Sequence, residues 1–123
     1  IAAHPFRPNR EITQVSENHY SRFDAIGLNA RDLYFLGEQA LMQHTQEFSR
    51  LHNLPIVAGS DTHHFLQIGS LMNCFPGEAT MINQLRVLIH QNQHEIVINE
   101  TLREKITQAR AEKKAIKAER LGL

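Results

Sequence analysis

Two short clusters of imidazole and carboxylate side chains, each placed directly behind an apolar run, constrain the fold of this 123-residue chain most strongly. Ile1-Ala2-Ala3 leads into His4-Pro5-Phe6-Arg7, and Pro55-Ile56-Val57-Ala58 leads into Gly59-Ser60-Asp61-Thr62-His63-His64. Short apolar runs that end in polar loops read as buried strands. Two strands therefore deliver chemistry at their carboxyl ends, where α/β folds gather their loops around a crevice or a barrel mouth. The sequence begins inside the first run and without Met, so the expectation is the C-terminal part of a longer protein.

Four segments read as strands: Ile1–Ala3, Asp24–Leu28, Pro55–Ala58 and Glu95–Ile98. Between them the apolar spacing turns helical. Leu33, Leu36, Ala40, Leu41, Phe48 and Leu51 recur at three- and four-residue steps and predict one helix over Arg31–Asn53, capped by Asn29 and closed by Asn53 and Pro55. Met81, Leu85, Leu88 and Ile89 predict a second over Thr80–Asn92, and a weaker one is expected in part of Ile12–Arg22. Strands alternating with helices imply parallel βαβ units with right-handed crossovers, which point all functional strand ends one way. His4 and Asp61, 57 residues apart, are thus expected on one face.

Charge divides the chain. From Arg103 onward there are seven Lys or Arg against three Glu, whereas residues 1–102 hold six against ten. Thr101–Arg120 reads as a long helix with a thin apolar seam of Leu102, Ile106, Ala109 and Ile116. Arg110, Lys113, Lys114 and Lys117 stand at spacings that crowd like charges, so an acidic surface, a partner or nucleic acid is expected to compensate. The organisation expected is a body over 1–99 and a basic helix over 100–123. Cys74, the single cysteine, excludes an internal disulfide, reads as a packed thiol and favours a reduced, cytoplasmic setting. No apolar run approaches the ~20 residues of a membrane span.

Asp61 and His63 are separated by one residue, and in extended geometry their side chains share a face. A carboxylate beside an imidazole suits zinc, manganese or iron. His4 offers a further nitrogen, Pro5 stiffens the turn after it, and the planar fork of Arg7 suits a phosphate. His44 and His52 read as partly buried helix histidines. His90 and His94 have the spacing of a helical metal pair, but their helix is expected to end near Asn92.

Taken together, Ala2-Ala3-His4-Pro5-Phe6-Arg7, Phe23-Asp24-Ala25-Ile26-Gly27-Leu28-Asn29 and Leu54–His63 followed by Ile68-Gly69 resemble the later motifs of the polymerase and histidinol phosphatase (PHP) superfamily. The resemblance covers roughly Ile1–Gly69 and, more loosely, the chain up to Asn99. It implies the C-terminal part of a distorted (β/α)7 barrel, here followed by the long C-terminal helix. It also implies divalent metal ions (Mn, Zn, Fe or Mg) and hydrolysis of a phosphoester. The substrate would be a phosphorylated small molecule, a nucleotide or a nucleic-acid phosphodiester. By motif, His4, Asp61 and His63 would be metal ligands; in a complete site Arg7, together with His64 next to His63, would steady the phosphate or assist the leaving group. The family's opening His-x-His pair and its middle ligands lie upstream of the motifs found here, and Gly27 stands where relatives often carry Glu. This chain alone is therefore expected to hold one metal weakly, to be nearly inactive, and to associate or swap domains through exposed strand edges. Two rival readings are a non-catalytic assembly module and a nucleic-acid-binding module led by the basic helix.

Overall fold

The computed structural model describes residues 1–8 and 17–123. Eight elements follow in order: β1 (Ile26–Asn29), α1 (Ala30–Leu36), α2 (Glu38–His52), β2 (Ile56–Gly59), β3 (Leu71–Cys74), α3 (Ile82–Gln91), β4 (Glu95–Ile98) and α4 (Leu102–Arg120). Short 3-10 turns occupy Glu17–Arg22 and Phe65–Gln67; the first covers the described part of the weak helix expected in Ile12–Arg22, the rest of which lies outside the described residues.

β1 pairs with β2 in parallel, Ile26 opposite Ile56, and Ala2 adds a single parallel bridge to Ile26. The bridge is held by Ala2 N–H to Ala25 O at 2.9 Å and Gly27 N–H to Ala2 O at 2.9 Å. A Cβ on Gly27 would stand 3.1 Å from Ala2 O, so the residue at this position must be small for the two segments to meet. His4 and Asp61 follow the two parallel segments that pair with β1, and the sheet brings their ends together.

The expected partial (β/α)7 barrel does not form. Among the described residues the strands make one parallel pair and one antiparallel pair, β3 with β4, Leu71 opposite Ile98. Leu71–Cys74 was not expected to be a strand at all, and by running against β4 it turns that segment away from the all-parallel order. Between the pairs a side chain replaces a backbone ladder. Asn73 Oδ1 accepts the Ala58 N–H at 2.7 Å, and Asn73 Nδ2 donates to Ala58 O at 3.0 Å. Cys74, expected to be packed, points outward and is exposed.

The helices also depart from expectation at one point. Arg31–Asn53 breaks at Gly37, whose φ of 89° lies outside the helical region and is readily adopted only without a Cβ. Its N–H still closes on Leu33 O, ending α1, while its carbonyl accepts from Leu41 and opens α2. The other helix ends behave as read. Asn29 Oδ1 accepts from the Arg31 and Asp32 N–H groups at 2.9 and 3.2 Å, and Asn53 and Asn92 close α2 and α3 in the left-handed conformation.

The main core joins Leu28, Leu33, Leu41 and Leu71 to Leu102 and Ile106. α4 is therefore seated on the sheet by its apolar seam, with Leu102, Ile106 and Ala109 buried. Tyr34 of α1 meets Thr107 at 3.0 Å, and Lys105 reaches Ile68 O at 3.3 Å. Among the described residues no helix is long and apolar enough to cross a membrane.

Candidate functional site

His4 and Asp61 both adopt left-handed backbone, φ 53° and 51°. For residues with a Cβ this costs roughly 1–2 kcal/mol each, a cost the surrounding bonds must hold in place. The other described non-glycine residues with positive φ are the helix-closing Asn53 and Asn92. Asp61 and His4 thus stand at sharp turns directly after their strand segments, where local strain concentrates at sites.

Arg7 organises the centre. Its Nε donates to Asp32 Oδ1 at 3.0 Å, and its Nη2 donates to Asp61 Oδ2 at 2.9 Å and to Asn29 Oδ1 at 3.3 Å. Asp32 is buried at the start of α1, so the guanidinium ties that helix to the Asp61 loop. The second Asp61 oxygen, Oδ1, faces two imidazoles: His4 Nε2 at 3.9 Å and His63 Nδ1 at 3.7 Å. Burial pushes the Asp61 carboxyl up, but the Arg7 bond and the nearby His4 and His63 outweigh it and hold the group below the ordinary carboxylate value. Burial likewise opposes the charge on Arg7, and its bonds to Asp61 and Asp32 prevail and raise its pKa.

The hydrogen bonds assign the ring protons. Asn29 Oδ1 is committed to two backbone N–H groups, so its Nδ2 is what meets His4 Nδ1 at 3.0 Å. Nδ1 of His4 is then the acceptor, and Nε2 carries the N–H toward Asp61. His63 is the reverse: its Nδ1 meets the Asp61 carbonyl at 2.8 Å and must donate, which leaves Nε2 bare. A carbonyl holding the Nδ1 proton is the usual orientation of an imidazole that ligates through Nε2.

The structure brings His4, Arg7, Asp61 and His63 together. It turns His64 elsewhere: Nδ1 of His64 accepts from Leu66 N–H at 3.4 Å, and Nε2 reaches Glu112 of α4 at 3.2 Å. His90 and His94 do not form a pair, since His90 meets Asp24 at 2.9 Å and His94 meets Ile56 O at 2.6 Å. His52 packs against Tyr20 and Phe48, whereas His44 is exposed beside Phe6.

Beside Asp61 and His63 opens a cleft of about 310 Å³ whose lining includes Arg7, Arg31, Arg110 and Lys113. Arg31 and Arg110 lie over the Phe35 ring, at 5.3 and 4.6 Å from its centroid. Sequence reasoning placed Arg110 and Lys113 on a helix but not in this cleft, because only the docking of α4 on Leu28 and Leu71 aims them there. A larger hollow of about 480 Å³ lies at the opposite strand ends, beside Asp24, His52 and His90. Its carboxylate is already engaged by Arg86 and His90, at 2.8 and 2.9 Å.

The chemistry fits a divalent cation in part. Asp61 Oδ1 is free of Arg7 and His63 Nε2 is bare, whereas His4 presents an N–H in place of a lone pair. Among the described residues, no group of three or more His, Cys, Asp or Glu side chains is close enough to form a metal cage. Asp61 Oδ1 and His63 Nε2 are the two free donors, but the His63 ring turns its Nδ1 edge to Asp61, so Nε2 points away and the pair would converge on an ion only after that ring turns.

No family model matches the chain, and no curated protein does. Among solved structures it is similar to the crystal structure of PsfC from Pseudomonas syringae PB-5123, with a TM-score of 0.66 and 18% identity over 92% of this chain. The match takes in 44% of PsfC, so this chain spans less than half of that protein's length. At that identity the likeness shows a shared fold and nothing about activity.

Proposed function

We propose that the chain contributes to the site of a metal-dependent phosphoesterase of the kind its motifs resemble, one that cleaves a phosphate monoester or a nucleotide or nucleic-acid phosphodiester with water. One observation carries the reading: Asp61 gives one oxygen to Arg7 and turns the other toward His4 and His63 at the rim of a cationic cleft. With the His63 ring turned from its bond to the Asp61 carbonyl, Asp61 Oδ1 and His63 Nε2 would hold the metal. A bound divalent metal supplies a water acidic enough to ionise near neutral pH and neutralises charge on the phosphoryl oxygens.

The protein's own part is positioning and charge. Arg7, locked by Asp32 and Asn29, fixes the Asp61 carboxylate in one rotamer and keeps it ionised. The His4 N–H, aimed at the same carboxylate by the Asn29 amide, offers a donor to a phosphoryl oxygen that approaches there. Arg31 supplies a fork suited to the dianion. His64 acts on the site from behind, by tying the Asp61 loop to α4 through Glu112. With so few donors the chain by itself is expected to bind metal weakly and to turn over little substrate. The exposed free thiol of Cys74 accords with a reducing, cytoplasmic setting.

Elemental analysis of the purified chain beside an Asp61→Ala/His63→Ala double variant tests the reading. Manganese, zinc or iron approaching one per chain, and lost in the variant, is the expected result. Equal metal in both proteins, or none in either after loading, would remove Asp61 and His63 as ligands.

A further inference from the structure

We infer that α4 furnishes a second anion subsite, so that the preferred ligand carries a further phosphate-like group besides the one presented to Asp61. Ile106, Arg110 and Lys113 recur along one face of α4, and all three line the cleft. Burial of Ile106 in the core fixes the rotation of that face, and the Tyr34–Thr107 and His64–Glu112 contacts fix the helix on α1 and on the site loop. The two cationic side chains are therefore held over the cleft by the fold.

The charges there are unbalanced. Arg7 is matched by Asp32 and Asp61, but Arg31, Arg110 and Lys113 enter no ion pair with a described acidic side chain. Arg7 with its two carboxylates leaves one negative charge against these three cations, so the cleft keeps an excess of positive charge that an entering anion would offset. The Phe35 ring relieves part of this by lying under Arg31 and Arg110, and it holds their planes in place. The cleft's 310 Å³ equals the liquid volume of about ten waters, more than a single phosphate fills. One phosphate at the Asp61 end of the cleft leaves Arg110 and Lys113 unused, whereas a ligand with two anionic groups engages both ends.

The inference rests on the phosphoester reading for the group at Asp61, but not on the metal. Its test is accordingly made in EDTA, by calorimetric titration of the whole chain with inorganic phosphate and with pyrophosphate. Pyrophosphate is expected to bind about tenfold or more tightly than phosphate, and Arg110→Gln/Lys113→Gln to weaken pyrophosphate by about that factor more than it weakens phosphate, so that the advantage is lost. Lys113→Gln alone, at an exposed position that does not stack on Phe35, should give a partial loss with an unchanged melting temperature. An Arg50→Gln/Lys114→Gln control removes the same charge from outside the cleft and should leave both affinities unchanged. Equal affinities for the two anions, or an equal loss in the control, would overturn the subsite and point to diffuse attraction such as a nucleic acid would feel. Failure of metal loading alone would leave it standing.

Discussion

Asp61 gains its properties from three neighbours, and each can be removed singly. With its pKa held below the ordinary value, the folded chain binds the Asp61 proton less readily than the unfolded chain does. The stability this contributes is present above the unfolded carboxyl value of about 4 and is lost as pH falls through the lower folded value. Asp24, lowered by its bond to Arg86 against the desolvation it suffers, with His90 adding to the lowering, contributes in the same direction. Denaturant midpoints should thus fall steadily between about pH 5 and about pH 2, and Asp61→Asn should flatten part of that decline. At neutral pH the same variant leaves Arg7 with Asp32 as its one carboxylate partner and should cost about 1–3 kcal/mol. A variant as acid-sensitive as the parent would show that Asp61 does not carry the effect.

The neighbouring His4 yields a spectroscopic prediction. Nitrogen-15 shifts should report an unprotonated Nδ1 and a protonated Nε2 near neutral pH, because the Asn29 amide donates to the former. Asn29→Asp replaces that donor by an acceptor, still caps α1, and should reverse the tautomer. Unchanged shifts would mean that the Asn29 contact does not set the ring.

Among elements, α4 departs most from its apparent character. Its composition suggests a solvated basic rod, yet Ile106 is only 1% exposed and belongs to the main core. Ile106→Ala should destabilise the whole chain by about 2–5 kcal/mol. If the loss instead proved confined to the helix, by hydrogen exchange in α4 alone, the helix would not be part of the cooperative unit. The other helices show what sequence can and cannot supply. Asn29, Asn53 and Asn92 marked helix ends through their own backbone chemistry, which needs no tertiary context. Gly37 lay unnoticed inside a continuous apolar pattern, since the stripe resumes across the break. β3 was hidden because Asn is a poor strand former, and Asn73 is tolerated only by virtue of its bonds to Ala58. For the site, the meeting of Asp61 with His4 and Arg7 followed from strand ends, but the extended geometry expected to align Asp61 with His63 does not hold, since the Asp61 backbone is left-handed and His63 turns back onto its carbonyl. The cationic lining from Arg31 and Arg110 depends on helix docking, which no local pattern encodes.

At the scale of the molecule, the two sheets are small and their outward faces are apolar in places. Met72 and Val97 are register partners on β3 and β4, and both are exposed, at 43% and 40%. Adjacent apolar residues on a two-stranded ribbon with free edges favour self-association. Light scattering is expected to show a mass that grows with concentration, and Met72→Lys to suppress it; a monomer at every concentration would contradict this. The Asn73 amide sets how far such association can go. It joins β3 to β2 through a side chain, and it is also what meets the backbone of β2 at Ala58. One side chain therefore acts as the stopper on a template that would otherwise accept a foreign strand. Its replacement by Leu would remove both bonds to Ala58 and open the chain to growth into larger assemblies.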